Sequence, residues 1–203
     1  AILYAGHLSE RDLTSEQTKR FSQKIVSRLN NLEQQVRDML VFAKGDVTLS
    51  DSMTIGSMIE ELKIAVDVPL SANEATLVIN NDLSDTRIVC NSQTMIGALS
   101  NLVNNALQAS TVGANIQLTT RREDNDILIS IADSGCGIPE NIMQRLQQEE
   151  AFVSTKSQGT GLGIAVVRAV VKAHQGEFEL SSKEGRGTQA TIKLPCVHAT
   201  PQS

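Results

Sequence analysis

NLVNNALQA, Asn101 to Ala109, is the stretch on which the fold turns. Asn101 and Asn105 are four residues apart, so on a helix they share one face. Asn is a poor helix-interior residue. Three of them in five positions (Asn101, Asn104, Asn105) therefore need a reason. An amide oxygen is a neutral, hard ligand, suited to a Mg²⁺ ion that also touches phosphates. A solvated helix face is the plainer alternative.

Two glycine clusters follow. DSGCGIP, Asp133 to Pro139, comes directly after an apolar strand pattern. Gly135 and Gly137 let the backbone approach a ligand or take unusual dihedrals. An Asp at a strand end can accept a hydrogen bond from an exocyclic amine such as that of adenine. Taken alone, the same residues make a good turn. KSQGTGLGIAVVRAVV, Lys156 to Val171, feeds Gly159, Gly161 and Gly163 into a helix pattern. A flexible loop at a helix N-terminus offers free N–H groups and partial positive charge to phosphate. The G-K-[ST] ending of a P-loop is missing, and GTGLG lacks the G-x-G-x-x-G spacing of a dinucleotide fingerprint. Lys156 would add charge at the phosphates, or be a solvated loop lysine.

The surrounding periodicities supply a scaffold. Ile55, Met58, Ile59, Leu62 and Val66 mark a helix. Thr76–Asn80 and Ile88–Cys90 read as short strands, and Ser92–Ser110 as a helix. Ile116–Arg122 and Ile127–Ala132 alternate as strands. Leu162–His174 is a helix, followed by strands carrying Phe178 and Leu180, then Ala190, Ile192 and Leu194. Strands interleaved with helices predict one mixed sheet with helices on one face. The tail after Pro195 reads as disordered.

The first part of the chain has another texture. Phe21, Ile25, Leu29, Leu32, Val36, Met39 and Ala43 form a heptad-like stripe from Ser15 to about Lys44. Ser15 is the expected N-cap and Gly45 the expected stop. Ala1–Leu8 reads as the end of a preceding helix, returned antiparallel by Ser9–Thr14. One hairpin with one apolar stripe is a poor core, so a four-helix bundle from two chains is its natural completion. Packing within one chain is the alternative.

Composition narrows the functions. Hydrophobic residues make up 40% of the 203, enough for a core, but aromatics only 2%, so base-stacking on nucleic acid is not expected. The net charge of −5 is mixed along the chain, with no basic stripe for a phosphate backbone. No apolar run approaches bilayer length, so no membrane contact is expected. Cys90, Cys136 and Cys196 lack metal-ligand spacing and read as reduced thiols, consistent with a cytoplasmic protein. The chain opens on Ala1 within a helical pattern and reads as part of a longer protein.

In this order and spacing the three clusters closely resemble the N box and glycine boxes of two-component sensor histidine kinases. AFVSTK (Ala151–Lys156) resembles the F box, and GRGTQATIKLP (Gly185–Pro195) the last glycine–Thr box. The style is most similar to flagellar-regulation kinases of the FlrB/FleS type, and the resemblance spans nearly the whole chain. It implies an α+β fold: a dimerisation and phosphotransfer hairpin at 1–46, an α/β sandwich of the histidine-kinase/gyrase/chaperone ATPase type at 47–197, and a tail at 198–203. It implies ATP and Mg²⁺ as cofactors, a homodimer, and a response regulator as partner. Asn105 matches the Mg²⁺ ligand; Asn101 and Asn104 belong to the same box near the phosphates. Asp133 matches the reader of the adenine amine, Gly135 and Gly137 shape that pocket, and Thr188 lies at its end. Lys156, Gly159, Thr160, Gly161, Leu162 and Gly163 match the phosphate loop, within a lid at about Gln147–Thr160. Gln108 departs from the Lys or Arg of many relatives, which implies weaker triphosphate binding.

The phosphoacceptor motif of these kinases, His–acid or Gln–x–Arg–Asn/Thr–Pro–Leu, is not matched by His7, which Leu8, Ser9, Glu10 and Arg11 follow. The acceptor is therefore expected upstream of Ala1, and His174 and His198 have no motif support. Gyrase-type, mismatch-repair-type and chaperone ATPases place a water-activating Glu four residues before the Mg²⁺-binding Asn. Asn101 stands there instead, and an amide is no general base near neutral pH. A non-catalytic dimerising scaffold is the alternative of a different class. Cys136 reads as a spacer beside the adenine pocket.

Overall fold

A computed structural model of the chain describes residues 14–22, 25, 49, 51–148 and 161–196. The chain divides into two compact units, Ala1–Leu40 and Val41–Ser203. In the first, residues 15–22 are helical. The cap is Thr14, one residue earlier than the expected Ser15. The Gln17 N–H donates to Thr14 Oγ1 (3.3 Å), and the Thr14 N–H donates back to Gln17 Oε1 (3.1 Å). Thr-x-x-Gln is the reciprocal capping box. The stripe residues from Leu29 to Ala43, Ala1–Leu8 and the tail at 198–203 lie outside the described residues.

The second unit contains strands β1 (Asp51–Thr54), β2 (Thr76–Asn81), β3 (Arg87–Cys90), β4 (Asn115–Glu123), β5 (Asp126–Asp133), β6 (Glu177–Lys183) and β7 (Gly187–Pro195). Its helices are α1 (Ile55–Ala72), α2 (Ser92–Ala109), α3 (Glu140–Gln147) and α4 (Leu162–Ala173). Five strands form one mixed sheet in the order β2-β4-β5-β7-β6, with β2 parallel to β4 and the other pairs antiparallel. The expected strand Ile88–Cys90 is not part of that sheet. It pairs antiparallel with β1 as a separate two-stranded ribbon. β1 and α3 carry little apolar signal: Met53 is the one apolar residue of Asp51–Thr54, and α3 buries only Met143 and Leu146.

One sheet face is apolar. Ile116 and Leu118 on β4, Ile127, Ile129 and Ile131 on β5, and Ala190, Ile192 and Leu194 on β7 are buried in one cluster with residues of α1, α2 and α4. The opposite face is polar: Ser130 and Thr191 hydroxyls meet at 3.0 Å, and Lys193 pairs with Asp126 at 3.3 Å. This alternation is that of an antiparallel sheet covered on one side. The core is aliphatic. Ile55, Met58, Leu62, Met95, Leu99 and Val103 are fully buried where α1 and α2 contribute to it.

Local signals set the helix starts. Thr54 and Ser57 form a capping box at α1, each hydroxyl accepting the other's N–H at 3.1 Å. Asn91 caps α2, its Oδ1 accepting from the Thr94 N–H at 3.0 Å. Asp51 Oδ2 accepts from the Ser92 N–H and hydroxyl (3.0 and 2.9 Å), a carboxylate at the positive end of α2. His174 is only 4% exposed. Its Nδ1–H donates to the Val170 carbonyl (2.7 Å) and its Nε2 accepts the Asn91 N–H (2.9 Å). The end of α4 is thereby tied to the start of α2.

Candidate functional site

The site is built where α2 and α4 cross the apolar face of the sheet. On α2, Asn101 is 8% exposed, Asn104 and Asn105 are half-buried, and Gln108 is exposed. The Asn101 face therefore points inward, which excludes for it the solvated-face alternative. Gly163 stands in the first turn of α4, and a β-carbon there would lie 3.5 Å from Asn105 Nδ2. The Asn105 amide thus faces the N-terminus of α4. That terminus starts at Gly161 in the left-handed region (φ 67°), a residue with no side chain of its own to act as a cap. Its first N–H groups have no intrahelical partner, and the helix dipole favours an anion there. Leu162 is buried at the start of the helix and anchors it in the core.

The second half of the site lies at the end of β5. The Asp133 carboxylate accepts the Gly135 N–H at 2.8 Å and the Thr188 N–H. Burial pushes its pKa above the ordinary carboxylate value, and these two bonds partly oppose that rise. Gly135 is forced by close approach: a β-carbon would sit 2.4 Å from the Ala109 carbonyl oxygen at the end of α2. The neighbouring Cys136 N–H donates to that same carbonyl at 2.9 Å. The Asp-Ser-Gly-Cys-Gly loop is therefore pinned to the helix carrying the three asparagines. On its other side the Cys136 carbonyl accepts the Gly185 N–H (2.7 Å), which ties Gly137 and its neighbours to the β6–β7 turn.

Thr188 is the β7 partner of Asp133. Directly paired residues of antiparallel strands project to the same face. Asp133 continues the series Ile127, Ile129, Ile131, and Thr188 the series Leu194, Ile192, Ala190, so both side chains lie on the helix-covered face. Gly187 was missed as a site residue. Its φ is +90°, and a β-carbon would meet the Asp133 carbonyl oxygen at 2.0 Å. The Gly-Arg-Gly-Thr run was its sequence signal. Of the other expected site residues, Lys156, Gly159 and Thr160 lie outside the described residues, as do His7, His198 and Ala151–Lys156. Gln147, the expected start of the lid, closes α3.

The donor set suits a nucleotide held at two ends. Asp133 and Thr188 offer polar oxygens to a base, and the α4 terminus offers N–H groups to phosphates. Asn105 offers a hard amide oxygen to a cation between them. Among the described residues no cluster of three or more His, Cys, Asp or Glu side chains could hold a metal. A cation at this place would depend on the Asn105 amide and the ligand's own oxygens.

Comparisons with known proteins agree with this geometry. Residues 90–198 match the model of the histidine kinase-, DNA gyrase B-, and HSP90-like ATPase family. The chain is 39% identical over 203 residues to the sensor protein kinase FleS of Pseudomonas aeruginosa, covering all of this chain and 50% of that protein. Among solved structures, histidine kinase AdeS of Acinetobacter baumannii superposes with a TM-score of 0.70 over 97% of this chain and 95% of its own, at 19% identity. Histidine kinase ThkA, solved in complex with response regulator protein TrrA, gives a TM-score of 0.70 over 96% of this chain and 57% of its own, also at 19% identity. At such identities the two structures speak for the fold alone. Among the described residues no helix is long and apolar enough to cross a membrane.

Proposed function

The chain belongs to the histidine kinase-, DNA gyrase B- and HSP90-like ATPase family, and from that premise we propose that it is the ATP-binding catalytic part of a sensor histidine kinase. The observation that carries the reading is the Asn105 amide facing the N-terminus of α4, with Asp133 on the helix-covered sheet face. Mg-ATP supplies the γ-phosphoryl group. The chain's own residues bind and orient it.

Asp133 accepts from the adenine amino group, held in place by the Gly135 and Thr188 N–H groups. Gly135 and Gly137 shape the pocket by letting the loop after Asp133 pack against the Ala109 and Lys183 backbone. Asn105 would hold Mg²⁺, with Asn101 and Asn104 beside the phosphates. Gly161, Leu162 and Gly163 direct the α4 N–H groups at the same phosphates, and Lys156, Gly159 and Thr160 complete that loop. Asn101 stands where hydrolases of this family carry a Glu. Its amide leaves water unactivated, so the phosphoryl group is kept for a protein acceptor.

That acceptor is a histidine that none of the three here supplies by motif. His174 is spent on the Val170–Asn91 bridge, and we place the acceptor upstream of Ala1. Residues 1–46 serve as the dimerising hairpin, residues 47–197 as the catalytic domain. The phosphate passes on to an aspartate of a response regulator, in the cytoplasm where ATP is available. The role we assign it is flagellar gene control, on its resemblance to kinases of the FlrB/FleS type.

Calorimetric titration with ADP, with and without Mg²⁺, tests the reading. Saturable, Mg²⁺-assisted binding that Asp133→Asn abolishes is the expected result. No binding by a folded wild-type chain would leave a dimerising scaffold in its place. Rapid ATP hydrolysis would move the chain to the ATPase branch of the family.

A further inference from the structure

Three strands meet in register beside the proposed adenine pocket. Ser182 on β6 is paired with Thr188 on β7, and Thr188 with Asp133 on β5. The three side chains therefore form a polar row across the helix-covered face. Ser182 Oγ makes three contacts, each 2.9 Å. It accepts the Ile138 N–H, it lies against the Gly187 carbonyl oxygen, and it lies against Thr188 Oγ1.

A serine hydroxyl has one proton and two lone pairs. A carbonyl oxygen only accepts, so the Ser182 proton goes to Gly187. One lone pair is taken by the Ile138 N–H. The remaining contact is a hydrogen bond only if the Thr188 hydroxyl donates to the other lone pair. This is the single assignment that satisfies all three contacts. It commits the Thr188 proton to Ser182 and leaves Thr188 Oγ1 able only to accept.

We propose that Ser182 is a specificity-determining positioning residue that fixes the Thr188 hydroxyl as an acceptor, so that the pocket selects a 6-amino purine over a 6-oxo purine. An ionised Asp133 also only accepts. Thr188 and Asp133 then present two acceptors, which suit an exocyclic amine and oppose a carbonyl. The inference rests on the nucleotide-binding reading and adds to it the residue that sets the hydrogen-bond sense.

The test is competitive binding of ADP and IDP to the full chain and to Ser182→Ala and Ser182→Thr. In Ser182→Ala the Thr188 proton is free to turn to a 6-oxo oxygen, so the preference for ADP over IDP falls by about fivefold, the worth of one hydrogen bond. Ser182→Thr keeps the hydroxyl and restores the preference. A merely supporting serine would weaken ADP and IDP by the same factor, and that result overturns the proposal. Should Ser182→Ala not fold by circular dichroism, Thr188→Val decides: it must weaken ADP and spare IDP, and equal weakening refutes the idea. Wild-type binding of ADP without preference over IDP overturns this inference alone. Wild-type binding of neither overturns the nucleotide reading and this inference with it.

Discussion

Lowering the pH should loosen the bridge between α4 and α2 at a single histidine. His174 is buried, donating from Nδ1 to Val170 and accepting the Asn91 N–H at Nε2. Protonation would set an N–H at Nε2 against the Asn91 N–H, two donors facing one another. Burial accordingly holds the His174 pKa below its ordinary 6.5, the Val170 bond opposing in part. A folded-state pKa below the unfolded one gives stability that is complete above about pH 6.5. That stability is lost as the pH falls through the folded value. The loss cannot exceed about 1.4 kcal/mol per pH unit, the limit for one proton. Asp133 cannot mimic it. Its folded pKa is raised, so falling pH relieves a buried charge and acts with the opposite sign.

The variant is His174→Gln, which takes the Nε2 acceptor from the Asn91 N–H, while the Val170 carbonyl keeps the backbone N–H of residue 174; it costs about 1–3 kcal/mol at neutral pH. Urea unfolding should be followed by circular dichroism, since the chain has no Trp and one Tyr. The wild type should lose stability between pH 6.5 and 5 relative to the variant, so the gap between them narrows. Parallel pH curves for the two proteins would refute the reasoning.

Gly97, within α2, has open space where a β-carbon would stand; Gly97→Ala should stabilise the fold by about 0.5–1 kcal/mol in the same urea assay. Gly135→Ala sets a methyl 2.4 Å from the Ala109 carbonyl; a loss of about 1–3 kcal/mol is expected, together with weaker ADP binding by calorimetry. Cys90 is buried with its thiol pushed up to about 11 by burial and by Asp51 and Glu61, whereas Cys136 is exposed. Iodoacetamide at pH 8 should therefore modify Cys136 and spare Cys90 in peptide maps, with ADP slowing the reaction at Cys136.

Much of this molecule was legible in its sequence because its signals are local. Two-residue alternation in β4, β5 and β7 and the helical spacing of α1, α2 and α4 follow from which side chains avoid water, whatever lies opposite. The asparagines of α2, Asp133 and the glycines before α4 stood out because each is costly in its place without a ligand-related reason. Weakly apolar elements escaped: Asp51–Thr54 has Met53 as its one apolar residue, and Glu140–Gln147 buries only Met143 and Leu146. Nor could spacing show that Ile88–Cys90 leaves the main sheet, since strand pairing is decided by neighbours distant in the chain. The Asn105–Gly163 approach, the 83-residue span from Asn91 to His174 and the Ser182–Thr188–Asp133 row exist only once the sheet has set its register. The sequence alone singled out the asparagines, Asp133 and the glycines as candidates for chemistry, and it did not mark Ser182. Only the tertiary structure decided which way their hydrogen bonds point, because a hydroxyl's single proton is assigned by the groups that surround it.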